Sequence, residues 1–180
     1  LGNSSAASAQ PCPPGSFGEL YSTRSIAECT PCSPGYFCPG KGATKPFGLV
    51  LAGFFSRGGA ASATPVQADG RGPCSAGHFC PEGAPSPSPC PPGTFSPQQG
   101  LYSARQCTLC ALGTLCATQG LVTNLLPCPQ LHFCPVGTAN ISSEPLSPIS
   151  HTCPEGTLAP IPCPAGTYTA GLGSASCTLC

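Results

Sequence analysis

Methionine and tryptophan are absent from this 180-residue chain, and it carries only six basic and six acidic side chains. That balance leaves no basic footprint for nucleic acid and no net field to steer a charged substrate. No apolar run approaches the roughly 18 residues that cross a bilayer as a helix, so no membrane span is expected in this segment. There is no signal-peptide pattern at the start. A chain of this composition still requires the secretory route, so the expectation is a piece of a longer protein.

What fills the chain instead is 25 prolines, 23 glycines and 16 cysteines. Prolines and glycines at this density exclude an uninterrupted helical stripe. Cysteine near one residue in eleven indicates a disulfide scaffold, and a reducing cytosol would leave such a scaffold unfolded. The fold class expected is a set of small disulfide-rich repeats, an elongated array of turns and short β-ribbons with little or no helix. The location expected is extracellular or at the cell surface.

A repeat emerges from spacing. The element Cys-x-x-Gly-x-Phe opens at Cys12, Cys32, Cys74, Cys90, Cys110, Cys128, Cys153 and Cys163. Gly stands three residues later in all but one, where Leu131 replaces it, and an aromatic residue or Leu stands five residues later in all, from Phe17 to Tyr168. Pro often intervenes, as in Cys12-Pro13-Pro14-Gly15. Pro fixes φ and Gly supplies positive φ, so the segment predicts a type II turn with the aromatic folded over the disulfide as a miniature core. Long elements run Cys12–Cys29, Cys90–Cys107 and Cys163–Cys177, each ending in C-x-x-C; short ones run Cys32–Cys38, Cys74–Cys80, Cys110–Cys116 and Cys128–Cys134. Two further short elements are degenerate. In one, Val50 and Ser56 stand where cysteines belong; in the other, Ser147 to Cys153, the opening cysteine is lost. The arrangement is long, short, short, short, with a period of 78 residues from Cys12 to Cys90 and 73 from Cys90 to Cys163. Residues 1–11 then form a leader, 12–89 the first copy, 90–162 the second, and 163–180 the start of a third.

The joint loss at Val50 and Ser56 favours local pairing within each element. Crossed pairing between neighbours, such as Cys110–Cys128 with Cys116–Cys134, stays open. Either scheme leaves Cys153 and Cys180 unassigned; they could bond each other, or Cys180 could pair beyond this segment and leave Cys153 for a bridge between chains.

The stretches Cys90-Pro91-Pro92-Gly93-Thr94-Phe95 through Cys107-Thr108-Leu109-Cys110, and Cys163-Pro164-Ala165-Gly166-Thr167-Tyr168 through Cys177-Thr178-Leu179-Cys180, resemble the ephrin-receptor-like cysteine-rich extracellular module. In style they are also similar to EGF-like and TNF-receptor repeats. The resemblance implies a stalk, spacer or binding surface of a cell-surface protein, and gives no activity by itself. The lost cysteines at positions 50 and 56 depart from that pattern.

Other motifs carry less. The C-x-x-C pairs lack the second pair 15 to 20 residues on that a zinc ribbon needs. His78 and His132 occupy a position held elsewhere by Tyr36 or Thr114. The carboxylates Glu19, Glu28, Asp69, Glu82, Glu144 and Glu155 are scattered, with no acid/base pair or calcium loop. Neither a catalytic residue nor a metal site nor a cofactor is expected, and the chain does not read as an enzyme. Sequons at Asn3-Ser4-Ser5 and Asn140-Ile141-Ser142 are candidate glycosylation sites. The Ser/Pro run over 84–89 suits a stiff spacer. The apolar run from Phe47 to Phe55 has two readings: packing in place of a lost disulfide at Val50, or an exposed contact patch of Phe47, Val50, Phe54 and Phe55. The function expected is a glycosylated structural spacer or assembly segment of a large secreted or cell-surface protein, such as a subunit of an extracellular fibre or coat, whose partners are other protein chains or further repeats. The alternative is a ligand-binding receptor ectodomain.

Overall fold

A computed structural model describes residues 10–18, 25–68, 70–123 and 126–180. Among the described residues, strands of two or three residues form seven separate two-stranded sheets, and the helical segments are single 3-10 turns at Ile26–Glu28, Ala104–Gln106 and Ile141–Ser143. The fold is disulfide-rich and mostly non-helical. It divides into two compact units, Leu1–Ser75 with Phe79–Ser88 and Gln99–Ser103, and Ala76–His78 with Pro89–Gln98 and Ala104–Cys180.

One plan recurs through both units. A hairpin opens at Cys12, Cys32, Val50, Cys74, Cys90, Cys110, Cys128, Ser147 and Cys163; these are numbered 1 to 9. Residues four and five after each opener pair with the two residues before the next. Thus Ser16 faces Pro31, Tyr36 faces Leu49, Thr94 faces Leu109 and Thr167 faces Leu179. Hairpins 6 and 7 keep the plan as single bridges, Thr114 to Pro127 and His132 to Leu146. The turn is closed locally: the Ser16 amide donates to the Pro13 carbonyl at 3.1 Å, and the Thr94 amide to that of Pro91 at 3.1 Å. Gly15 at φ 86° and Gly93 at φ 83° supply the positive φ a type II turn requires. The hydroxyls of Ser16, Thr94, Thr114 and Thr167 donate to the same carbonyls at 2.6–2.7 Å, which tightens the corner.

Main-chain bonds then join each hairpin to the next. In the first unit the amides of Cys32, Val50 and Cys74 donate to the carbonyls of Gly15, Gly35 and Gly53 at 2.8–2.9 Å. In the second unit Cys90, Cys110, Cys128, Ser147, Cys163 and Cys180 do the same to Gly77, Gly93, Gly113, Leu131, Ser150 and Gly166 at 2.8–3.0 Å. The turn residue answers by donating to the residue six beyond the next opener: Gly15 to Cys38, Gly35 to Ser56, Gly113 to Cys134 and Leu131 to Cys153. A third bond brings in a second glycine, nine or ten residues after the opener, whose amide meets the preceding opener's carbonyl: Gly42 to Cys12, Gly83 to Val50, Gly156 to Cys128 and Gly173 to Ser147. None of these bonds uses a side chain, and the plan is kept where the opener is Val50 or Ser147 instead of cysteine.

Contacts also reach the next hairpin but one. A Cβ on Gly15 would sit 2.6 Å from the Gly59 carbonyl oxygen, and one on Gly53 2.6 Å from that of Gly100. At that separation a side chain cannot be placed without moving backbone, which is why these corners are glycine. The core between hairpins is a set of cysteines rather than a hydrophobic layer, joined by Val50, Ala60, Ala84 and Leu101. The aromatic residues expected to cap it are only half-buried, as at Phe37, Phe79 and Phe95, and Tyr168 is exposed.

Candidate functional site

Seven disulfides join Cys12 to Cys29, Cys32 to Cys38, Cys74 to Cys80, Cys90 to Cys107, Cys110 to Cys116, Cys128 to Cys134 and Cys163 to Cys177, with Cα–Cα distances of 5.7–6.4 Å. Pairing is therefore local, within a hairpin, and the crossed scheme does not occur. The long and short elements turn out to be the same hairpin. In the long ones the opener bonds a cysteine just ahead of the return strand, and the position six after it is half-buried Gly18 in the first and buried Ser96 or Thr169 in the other two. Ser96 Oγ accepts the Gln98 amide at 3.2 Å, and Thr169 Oγ1 accepts the Ser150 amide at 2.6 Å. Where that position is buried it holds a small side chain that satisfies itself, as cysteine, serine and threonine can. Counting elements by their cysteines hid this equivalence.

Cys153 and Cys180 are both free thiols, so they do not bond each other. Cys180 is exposed, whereas Cys153 is wholly buried. Cys153 is thus covered within its own chain. Its opposite position is Ser147, also fully buried, whose hydroxyl donates to the His151 carbonyl at 2.8 Å. Nor does Cys153 open a hairpin. Cys153-Pro154-Glu155-Gly156 is a closing turn like Cys80-Pro81-Glu82-Gly83 and Cys134-Pro135-Val136-Gly137, and Leu158 beyond it is 60% exposed.

Val50 is fully buried, and so is Ser56, whose Oγ accepts the Gly58 amide at 3.1 Å. Apolar packing here takes the place of a covalent bond. Val50 therefore belongs to no exposed patch, and Phe54 and Phe55 are half-buried, Phe55 against Cys74, Cys80 and Ala84. Of the four residues only Phe47 is freely presented, at 75% exposure. Its ring leans on Phe37 with centroids 5.5 Å apart. With it, the Pro39–Phe47 loop lines an open cleft of about 630 Å³ that carries Lys41 and Lys45.

The histidines are held individually. Nδ1 of His78 meets the Ala76 carbonyl at 3.0 Å and Nδ1 of His151 that of Ile149 at 3.1 Å, while Nδ1 of His132 is buried without a partner. Among the described residues no group of three His, Cys, Asp or Glu side chains is placed to hold a metal, and no helix is long and apolar enough to cross a membrane. Asn140 is exposed at the start of the Ile141–Ser143 turn. Asn3, Glu19 and Asp69 lie outside the described residues. A scan of protein-family models finds no match to this chain, and a search of curated proteins finds no significant similarity.

Proposed function

We propose that the chain is a structural spacer and assembly segment of a large secreted or cell-surface protein, of the kind that builds an extracellular fibre or coat. The observation that carries this reading is the side-chain-independent ladder: each hairpin offers the next the same set of main-chain donors and acceptors, so the number of hairpins is free to vary. Seven disulfides support an oxidising location, and the resemblance of hairpins 5 and 9 to ephrin-receptor-like modules supports a role at the cell surface. Such a segment contributes span and rigidity and performs no reaction.

Deleting residues 90–162 tests it. The cut removes one period and places Cys163 directly after Pro89, so an opener still follows a return strand and the bridges Cys12–Cys29, Cys32–Cys38, Cys74–Cys80 and Cys163–Cys177 keep both partners. A spacer secretes in that form with its four disulfides closed, and labels at its two ends lie closer together. Misfolding or an unchanged end-to-end distance contradicts the reading. A second reading, a ligand-binding ectodomain, is favoured by exposed Phe47 lining the lysine-bearing cleft. It predicts that Phe47→Ala abolishes binding to a surface partner while secretion continues.

A further inference from the structure

We infer that Asn140 is an N-glycan attachment site whose local backbone is already set for the transfer; the inference rests on the proposed passage through the secretory route. Three observations converge. Asn140 and Ser142 are both exposed, so neither end of the Asn-Ile-Ser sequon is blocked by the fold. Asn140 Oδ1 accepts the Ser142 amide at 3.0 Å, and the Ser143 hydroxyl donates to the Asn140 carbonyl at 2.8 Å. The side-chain amide is thus anchored through its oxygen, and its nitrogen Nδ2 is the end with no hydrogen-bond partner among the described residues. These bonds span two and three residues, so the arrangement needs neither a distant hairpin nor a closed disulfide. It is open to the chain before folding is complete, when the transfer has to happen.

The substrate class is a lipid-linked oligosaccharyl pyrophosphate. Nδ2 forms a bond to the anomeric carbon of the first sugar, and the bond from that carbon to the pyrophosphate oxygen breaks. The lipid pyrophosphate departs with the electron pair, and Nδ2 gives up one proton to a base of the transferring enzyme. No oxidant or reductant is involved. The position also makes physical sense. From Gln106 to Ser143 the chain has no charged residue, and it exposes Leu109, Val122, Leu126 and Val136. A glycan on the loop of hairpin 7 supplies hydration that side chains here do not.

The test is secretion of the full chain from a eukaryotic host, followed by non-reducing peptide mapping before and after treatment with an amidase that releases N-glycans. The expected result is a glycopeptide containing Asn140, conversion of that side chain to a carboxylate on release, and loss of the glycopeptide in both Asn140→Gln and Ser142→Ala with all seven disulfides retained. A chain whose disulfides are formed but whose Asn140 is unmodified overturns the inference and leaves the spacer reading standing. A chain that is both reduced and unmodified overturns the two together.

Discussion

Replacing Ser147 by Cys should complete the one hairpin that retains half of its bridge. Ser147 and Cys153 have the same six-residue separation as the partners in Cys32–Cys38, Cys74–Cys80, Cys110–Cys116 and Cys128–Cys134. The backbone around them is also the same. Ser147 donates to Leu131 as Cys128 does to Gly113, and Leu131 donates to Cys153 as Gly113 does to Cys134, all at 2.8–2.9 Å. Closing a loop of about seven residues removes roughly 2.4 kcal/mol of unfolded-state entropy on the chain-entropy account. The substitution also gives up the Ser147 hydroxyl bond to His151, worth about 1 kcal/mol. The net gain is about 1–1.5 kcal/mol, or a rise in melting temperature of roughly 2–6 °C for a chain of this size. Thiol titration in denaturant should fall from two reactive groups, Cys153 and Cys180, to Cys180 alone, and scanning calorimetry should show the rise. Three reactive thiols in Ser147→Cys would refute the geometric equivalence of the degenerate hairpin. A closed bridge with a lower melting temperature would refute the energetic argument.

The other perturbations follow from single residues. Val50→Ala removes two methyl groups from a fully buried site and should cost about 2 kcal/mol in chemical denaturation, although no disulfide is touched. Gly53→Ala meets both positive φ and the Gly100 carbonyl and should cost about 2 kcal/mol or more, whereas Gly171→Ala, which meets nothing within 4 Å, should stay within about 0.5 kcal/mol of the parent chain. Ser150 is exposed at φ 63°, in the corner position that most hairpins give to glycine, and Ser150→Gly should therefore stabilise by about 0.5–1 kcal/mol in the same assay.

The local half of this fold could be read from sequence because its causes are local. Cys-x-x-Gly marks a turn closed within four residues, and the paired loss at Val50 and Ser56 identifies a hairpin without its bridge. The second glycine, as at Gly42, Gly59, Gly83 and Gly100, recurs nine or ten residues after an opener, but its role cannot be read from that recurrence. Its reason lies in the preceding opener's carbonyl and in the next hairpin but one, which no motif within a single element expresses. The same holds for Leu131 at φ 77°, where the backbone bonds of the ladder impose a conformation the residue itself disfavours. At the candidate site, the sequence gathered Phe47, Val50, Phe54 and Phe55 by proximity along the chain. Val50, the opener just after the Gly48–Leu49 strand, is buried, and Phe47, just before that strand, is left outside.

The central claim is that backbone bonding, not cysteine, propagates the hairpins, and native-state amide exchange measures it directly. The account predicts that the amides of Val50 and Ser147 are protected to the same degree as those of Cys32, Cys74, Cys110 and Cys128, because all donate to the preceding corner at 2.8–3.0 Å. Slow exchange at the cysteines with free exchange at Val50 and Ser147 would contradict it, and would make the disulfides alone the structure.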